Sequence, residues 1–262
     1  MKTKRTTPSL LPLQTAALAL LIAGPASAVN VKWTDWIEGS PSAGTAFGTI
    51  TTTTTTVNVS YSNPQGYGFL QNGVTGNLTN YYSHFPNSAD ITKSPFTSSV
   101  VDNDPPAAEL VGLYLAGTQT LTFSETIANP FFAYVSLNGN GYAFDQDFEI
   151  LSFGDGTVND RGFWGPGTSY KTVVDLGGGN FEYQLLGTGE PHGTIRFLGS
   201  FDTVSWRSLS NEYWNGFTVG VEGTDKEVNP PSGVPEPGRT IWFLGVAVGL
   251  LGAGRRLGSR RA

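Results

Sequence analysis

The sequence predicts an all-β fold: a single antiparallel β-sandwich, jelly-roll-like, framed by an N-terminal signal peptide and a C-terminal single transmembrane helix. Three observations carry this. No ten-residue stretch of the body holds a helical apolar stripe, whereas period-two alternation recurs along it. Glycine (34) and proline (16) fall between the alternating runs, where turns need them. Charged residues make up only 14%, beside abundant Thr, Ser, Asn and aromatic residues, a balance that suits pleated strands. A barrel or a short solenoid made from the same strands is the alternative. Cysteine is absent, which excludes disulfides and Cys-based metal sites.

The first 28 residues read as a secretory signal. Lys2, Lys4 and Arg5 give a basic start, and Leu10 to Ala23 is apolar apart from Pro12 and Gln14. Ala26 and Ala28 place small residues where a signal peptidase must accept them, so the mature chain is expected to begin at Val29.

The body, residues 29–222, supplies the strands. Thr51 to Ser60 is a Thr/Val run with neither Gly nor Pro to break it, and it reads as an edge strand. Leu110 to Phe123 suggests two strands around a turn at Gly117. Phe131 to Leu137 is apolar enough for a strand covered on both faces. Alternation then places Phe148 and Ile150 around Glu149, and Phe181, Tyr183 and Leu185 around Glu182 and Gln184. Ile195 and Phe197 flank Arg196, Val204 and Trp206 flank Ser205, and Phe217, Val219 and Val221 close the series. Turn signals stand at Asn138-Gly139, Gly154 to Gly156, Gly177 to Gly179, Gly187 to Gly193 and Asn215-Gly216. Residues 65–104 are rich in Asn, Ser and Pro and read as long loops over one end of the sandwich.

Charge is segregated along the chain. Between Val29 and Gly233 there are 7 basic and 20 acidic residues, a net of −13, whereas both termini are basic. So acidic a body excludes nucleic acid as a partner, because phosphates need Lys and Arg. His84 and His192 read as ordinary loop histidines. Neither H-E-x-x-H nor G-x-S-x-G occurs, so the body reads as non-enzymatic; a glycosidase-type carboxylate pair is the competing chemistry. Asp102 and Asp104 in one stretch, and Asp145 and Asp147 in another, are candidate calcium ligands, since Ca²⁺ takes carboxylate and carbonyl oxygens; no other cofactor is expected. Tyr81, Tyr82 and Trp164 lie in polar or Gly-rich surroundings and are candidate sugar contacts; the other aromatics read as core. Thr51 to Thr56 raises an ice-matching array, but a single Thr run does not make one.

Residues 223–233, GTDKEVNPPSG, read as a linker. Pro235-Glu236-Pro237 follows, then an uninterrupted apolar run from Ile241 to Gly254. As a helix that run spans roughly 21 Å, short of a hydrocarbon core of roughly 30 Å. Thr240 and the arginine stem at its end extend it to a span of about residues 240–257. Arg255, Arg256, Arg260 and Arg261 mark the cytoplasmic end, which leaves the body outside the inner membrane.

The order Pro-Glu-Pro, apolar helix and arginine cluster over residues 234–262 resembles the PEP-CTERM sorting signal of exported Gram-negative proteins. That segment is also known as an ice-binding protein C-terminal domain. Pro235, Glu236 and Pro237 match the recognition triplet, and Arg255 and Arg256 match the basic end. Gly238-Arg239 replaces the Ser-Thr often found after the triplet. The resemblance covers about a tenth of the chain. It implies processing by signal peptidase and by an exosortase, a membrane-embedded cysteine transpeptidase-like enzyme. It implies transient anchorage in the inner membrane with a periplasmic body, then release to the cell surface or matrix. Residues 192–222 also resemble the closing strands of such exported domains. The family's association with biofilm exopolysaccharide makes a matrix polysaccharide the expected partner.

Overall fold

Alternating residues along the chain become the two sides of two sheets. The computed structural model describes residues 28–74, 78–84, 94–154 and 161–231. The expected signal peptide up to Ser27, and the expected sorting motif, membrane span and terminal arginines, therefore lie outside the described residues. Among the described residues strand accounts for 58% and helix for 2%, so sheet faces must build the core.

The first quarter of the chain holds β1 (Lys32–Trp33), β2 (Asp35–Ser40), β3 (Thr45–Thr51), β4 (Thr56–Ser62) and β5 (Phe69–Asn72). After a long connection come β6 (Glu109–Leu113), β7 (Gly117–Ala128), β8 (Phe131–Val135), β9 (Tyr142–Phe144) and β10 (Phe148–Phe153). The second half supplies β11 (Arg161–Gly162), β12 (Gly165–Gly177), β13 (Asn180–Gly189), β14 (Gly193–Phe197) and β15 (Ser200–Ser208). β16 (Asn215–Val221), β17 (Gly223–Thr224) and a one-turn α1 (Asp225–Val228) end it.

The smaller sheet runs β10-β14-β8-β16-β6-β5, with β1 added to β16. The larger runs β11-β12-β13-β9-β15-β7-β4-β3-β2, with β17 added to β7. The named strands pair antiparallel, and the arrangement is consistent with the expected β-sandwich. One core lies between the sheets, with Trp36, Tyr61, Leu121 and Trp206 from the larger sheet and Phe132, Phe197 and Phe217 from the smaller. Phe132 and Phe217 stack at 4.9 Å and 4°, and Trp206 meets both edge-on at 5.2 and 5.0 Å. Such aromatic pairs add about 0.5–1.5 kcal/mol each beyond their buried area. Glu109 ties the sheets together near β2: its Oε2 accepts the Trp36 N–H at 2.6 Å. Burial pushes the Glu109 carboxyl up to about 7, against the Trp36 bond and aided by Asp35.

β8 is buried on both faces, as its unbroken apolar run requires. Its second cover is the connection between β5 and β6. Tyr82, Phe96 and Val101 pack with Trp33, Leu110 and Phe131 in a second apolar cluster on the outer side of the smaller sheet. The Thr194 hydroxyl donates to the Phe96 carbonyl at 2.9 Å and fixes this layer to β14. The described part of residues 65–104 is thus a packed outer layer as well as a loop, because the smaller sheet has a second apolar face to cover.

Three further expectations change. The Thr run is not one strand: Thr51 ends β3, Thr56 starts β4, and Thr52 to Thr55 turn between them. Thr52 N–H and its hydroxyl both reach the Thr55 carbonyl, at 2.8 and 2.9 Å, so threonine side chains do the work usually left to Gly. Asn215-Gly216 is not a turn either, but the buried start of β16. A Cβ on Gly216 would stand 2.8 Å from Leu110 Cδ2, so here glycine permits close packing of β16 on β6. Finally, residues 223–228, read as the start of a linker, are β17 and α1. Thr224 and Glu227 form a reciprocal cap on α1.

Candidate functional site

Five connections converge on one end of the two sheets. The β8–β9 turn brings Ser136 and Asn138, and the β13–β14 turn brings Glu190. The β15–β16 loop brings Tyr213 and Trp214, the β11–β12 turn brings Trp164, and the β5–β6 connection brings Tyr81. Ser136, Asn138, Trp164, Glu190, Tyr213 and Trp214 line a pocket of about 170 Å³.

Its walls are held by hydrogen bonds between loops. Asn140 Oδ1 accepts the N–H groups of Leu209 and Ser210 at 3.0 and 2.9 Å, and the Ser210 hydroxyl donates to the Gly139 carbonyl at 2.7 Å. Glu212 N–H donates to the Tyr114 carbonyl at 3.0 Å. One side of the pocket is aromatic. Tyr81 and Trp164 stack at 6.0 Å and 20°, and Trp214 meets them edge-on at 4.9 and 5.8 Å. Phe163 packs beneath, 5.0 Å from Tyr81 and 4.9 Å from Trp164. This packing holds the Trp164 ring in place while leaving it 45% exposed; Tyr213 is 95% exposed.

The other side is polar. Glu190 accepts the Ser136 hydroxyl at 2.8 Å and the Asn138 amide at 2.5 Å. Next to it, Glu212 Oε2 accepts the Asn215 amide at 2.8 Å, and the Tyr142 hydroxyl donates to Asn215 Oδ1. Glu212 Oε1 is buried with no hydrogen bond of good geometry, although Asn138 and Asn140 lie near enough to ease its charge. Burial pushes the Glu212 carboxyl up to about 8, against the Asn215 bond and reinforced by the charge of Glu190. Burial and Glu212 in turn hold the Tyr142 phenol well above its usual range.

Two of the three expected sugar contacts are therefore in one place, Tyr81 and Trp164. Tyr82 is not with them: it is 1% exposed, packs on Phe96 at 5.2 Å and donates to the Glu109 carbonyl. The two stand side by side in a turn, and Tyr82 goes into the outer apolar layer while Tyr81 stacks on the shelf. Trp214, Tyr213, Glu190 and Glu212 were not singled out by sequence reasoning as a site. The one local signal, for all of them but Glu190, is aromatic, acidic and Asn residues packed into the stretch from Asn211 to Asn215.

The candidate calcium ligands are distributed otherwise. Asp104 accepts the Ser94 hydroxyl, and Asp102 N–H donates to the Val29 carbonyl at 2.9 Å. Asp147 pairs with Lys171 at 2.8 Å, while Asp145 lines a second pocket of about 190 Å³ where β9 ends. Among the described residues no three acidic or histidine side chains gather into a metal-sized group. His192 is buried, with Nδ1 2.8 Å from the Glu190 carbonyl oxygen; a Cβ on Gly154 or Gly162 would strike its ring. Among the described residues no helix is long and apolar enough to cross a membrane.

Comparison with protein-family models, with curated proteins and with solved structures found no match.

Proposed function

We propose that this chain is an exported, non-catalytic protein whose body, residues 29–222 and on through α1, is a single jelly-roll-like β-sandwich. A PEP-CTERM-type tail delivers it to the cell surface or matrix, where it binds extracellular polysaccharide at the aromatic end pocket. The observation that carries the binding reading is the Tyr81–Trp164–Trp214 shelf facing Glu190 and Asn138. A pyranose has an apolar face that stacks on an aromatic ring and hydroxyls that need fixed acceptors and donors at its edge. The sorting reading rests on Pro235, Glu236, Pro237, Arg255 and Arg256 and on the two basic termini around an acidic body. Signal peptidase, exosortase and the inner membrane are its processing partners.

Retention of the chain on immobilised matrix polysaccharides, with and without Ca²⁺, tests the binding reading; no retention on any polymer sinks it. Intact-mass analysis of the exported protein tests the sorting reading. Terminal arginines still present would show that the tail is not processed.

A hydrolase or lyase is the second reading, favoured by one observation: the Glu212 carboxyl, close to Glu190, is raised to about 8, so it holds a proton near neutrality as a general acid must. Reducing-end release from a polymer that stops in Glu212→Gln would establish it over the binding reading. A purely structural matrix role predicts neither retention nor release.

A further inference from the structure

We infer that the end pocket selects a positively charged amine, and that its ligand is a polysaccharide containing unacetylated amino sugars. This inference rests on the polysaccharide-binding reading and narrows it. Three features of the pocket argue for a cation. Its aromatic side, formed by Trp164, Tyr213 and Trp214, offers electron-rich ring faces, which attract ammonium groups. Its polar side is the Glu190 carboxylate, and an ionised carboxylate can accept about four hydrogen bonds. Ser136 and Asn138 fill two of these positions and fix the group's orientation, so accepting capacity remains toward the pocket. Lastly, the described lining contains no Lys, Arg or His side chain, so an anionic sugar entering it would meet Glu190 without compensation.

The surroundings reinforce the sign. The carboxyls of Glu190 and Glu212 meet Ser136, Asn138, Asn140 and Asn215, with the Tyr142 phenol behind Asn215, while the nearby His192 contacts the Glu190 backbone carbonyl rather than its carboxylate. The body as a whole carries 20 acidic against 7 basic residues, which raises the local concentration of a polycation at its surface. An N-acetylated unit keeps the stacking face and loses the charge. A uronate keeps the stacking face and brings the wrong charge. The pocket's chemistry thus ranks glucosamine-type units first, N-acetylated units second and uronates last.

The test uses the full-length chain in neutral detergent at pH 6. Three probes are titrated by calorimetry: a glucosamine tetramer, an N-acetylglucosamine tetramer and a glucuronate tetramer. The glucosamine tetramer is expected to bind at least roughly tenfold more tightly than the N-acetylated one, about 1.4 kcal/mol, with the uronate weakest. Glu190→Gln is expected to bring the first two within about twofold of each other. Trp164→Ala is expected to weaken both together. Equal wild-type affinities, or tighter binding of the N-acetylated or uronate probe, would overturn amine selectivity and leave polysaccharide binding standing. Binding of none of the three probes would overturn amine selectivity and leave the polysaccharide-binding reading to be decided by the retention test. The wild-type ranking needs no variant, so a misfolded Glu190→Gln does not blunt the test.

Discussion

Two partly buried glutamates at different places in the body have moved in opposite directions. Glu212, behind the end pocket, is pushed up to about 8. Glu227, on α1, is held down at about 2. For both, burial is the largest cause and raises the value. The difference is the number of donors. Glu227 Oε1 accepts the Thr54 N–H and hydroxyl, both at 2.6 Å, and the Thr52 hydroxyl at 3.0 Å; its Oε2 accepts the Thr224 N–H at 2.7 Å. Glu212 has one such bond at its Oε2, and the smaller relief from Asn138 and Asn140 comes after the opposing charge of Glu190 nearby. Donors make an ionised carboxylate comfortable; a neighbouring carboxylate and too few donors make it costly. Glu227 is a structural clasp, and Glu212 is a strained group beside the candidate site.

Breaking the clasp should have the largest effect on stability. Glu227→Ala leaves the Thr54 N–H and hydroxyl and the Thr224 N–H without their acceptor, while the Thr52 hydroxyl keeps the Thr55 carbonyl, and it removes half of the cap on α1. A loss of about 2–3 kcal/mol is expected in urea unfolding. A loss under roughly 0.5 kcal/mol would mean that solvent replaces the carboxylate fully. The clasp also has a pH signature. Its folded value lies below the ordinary 4.5, so its stabilisation is complete above about 4.5 and is lost as pH falls toward 2. The variant should lack that component of acid sensitivity.

Glu212 predicts the opposite slope. Its folded value lies above the ordinary one, so folding favours its protonated form, and stability falls as pH rises from about 4.5 through about 8. Glu109, raised to about 7, contributes to the lower part of that window. Discounted for partial exposure, the Glu212 share is roughly 1–2 kcal/mol. Thermal unfolding at pH 6 and pH 9 measures it. If Glu212→Gln shows the same drop as the native chain, the carboxyl is not the cause. A smaller change sharpens the clasp: Thr54→Val removes one donor of the four and should cost about 1 kcal/mol. Trp164→Ala should cost about 1 kcal/mol of stability, since the residue is nearly half exposed but gives up its ring contacts with Tyr81, Phe163 and Trp214, while reducing polysaccharide binding at least about tenfold. Equal retention of native chain and variant would remove Trp164 from the site.

How legible these regions were follows from the range of their contacts. Ile195 and Phe197 are buried around the partly exposed Arg196, as local alternation implies. The same alternation misleads at Phe181, which is 44% exposed because the β12–β13 hairpin extends beyond β9, its neighbour in the sheet. Thr51 to Thr56 misleads for a related reason. Its local β propensity is real, but the acceptor that organises its turn is Glu227, more than 170 residues away. Tyr81 and Trp164 could be flagged individually from their polar surroundings, whereas their stacking depends on two loops distant in the chain.

By itself the sequence determined the all-β class and the positions of β6–β8, β10 and β13–β16, because side-chain direction in a strand follows from neighbours two residues away. It also carries the segregation of charge and the tail motif, both properties of covalent order. Only the tertiary structure decided which strands pair, that the smaller sheet would be covered on both faces, and that Tyr81, Trp164, Glu190 and Trp214 would gather at one end. It also decided the contrasting states of Glu212 and Glu227, since a carboxylate's charge depends on burial and on donors that non-local packing delivers.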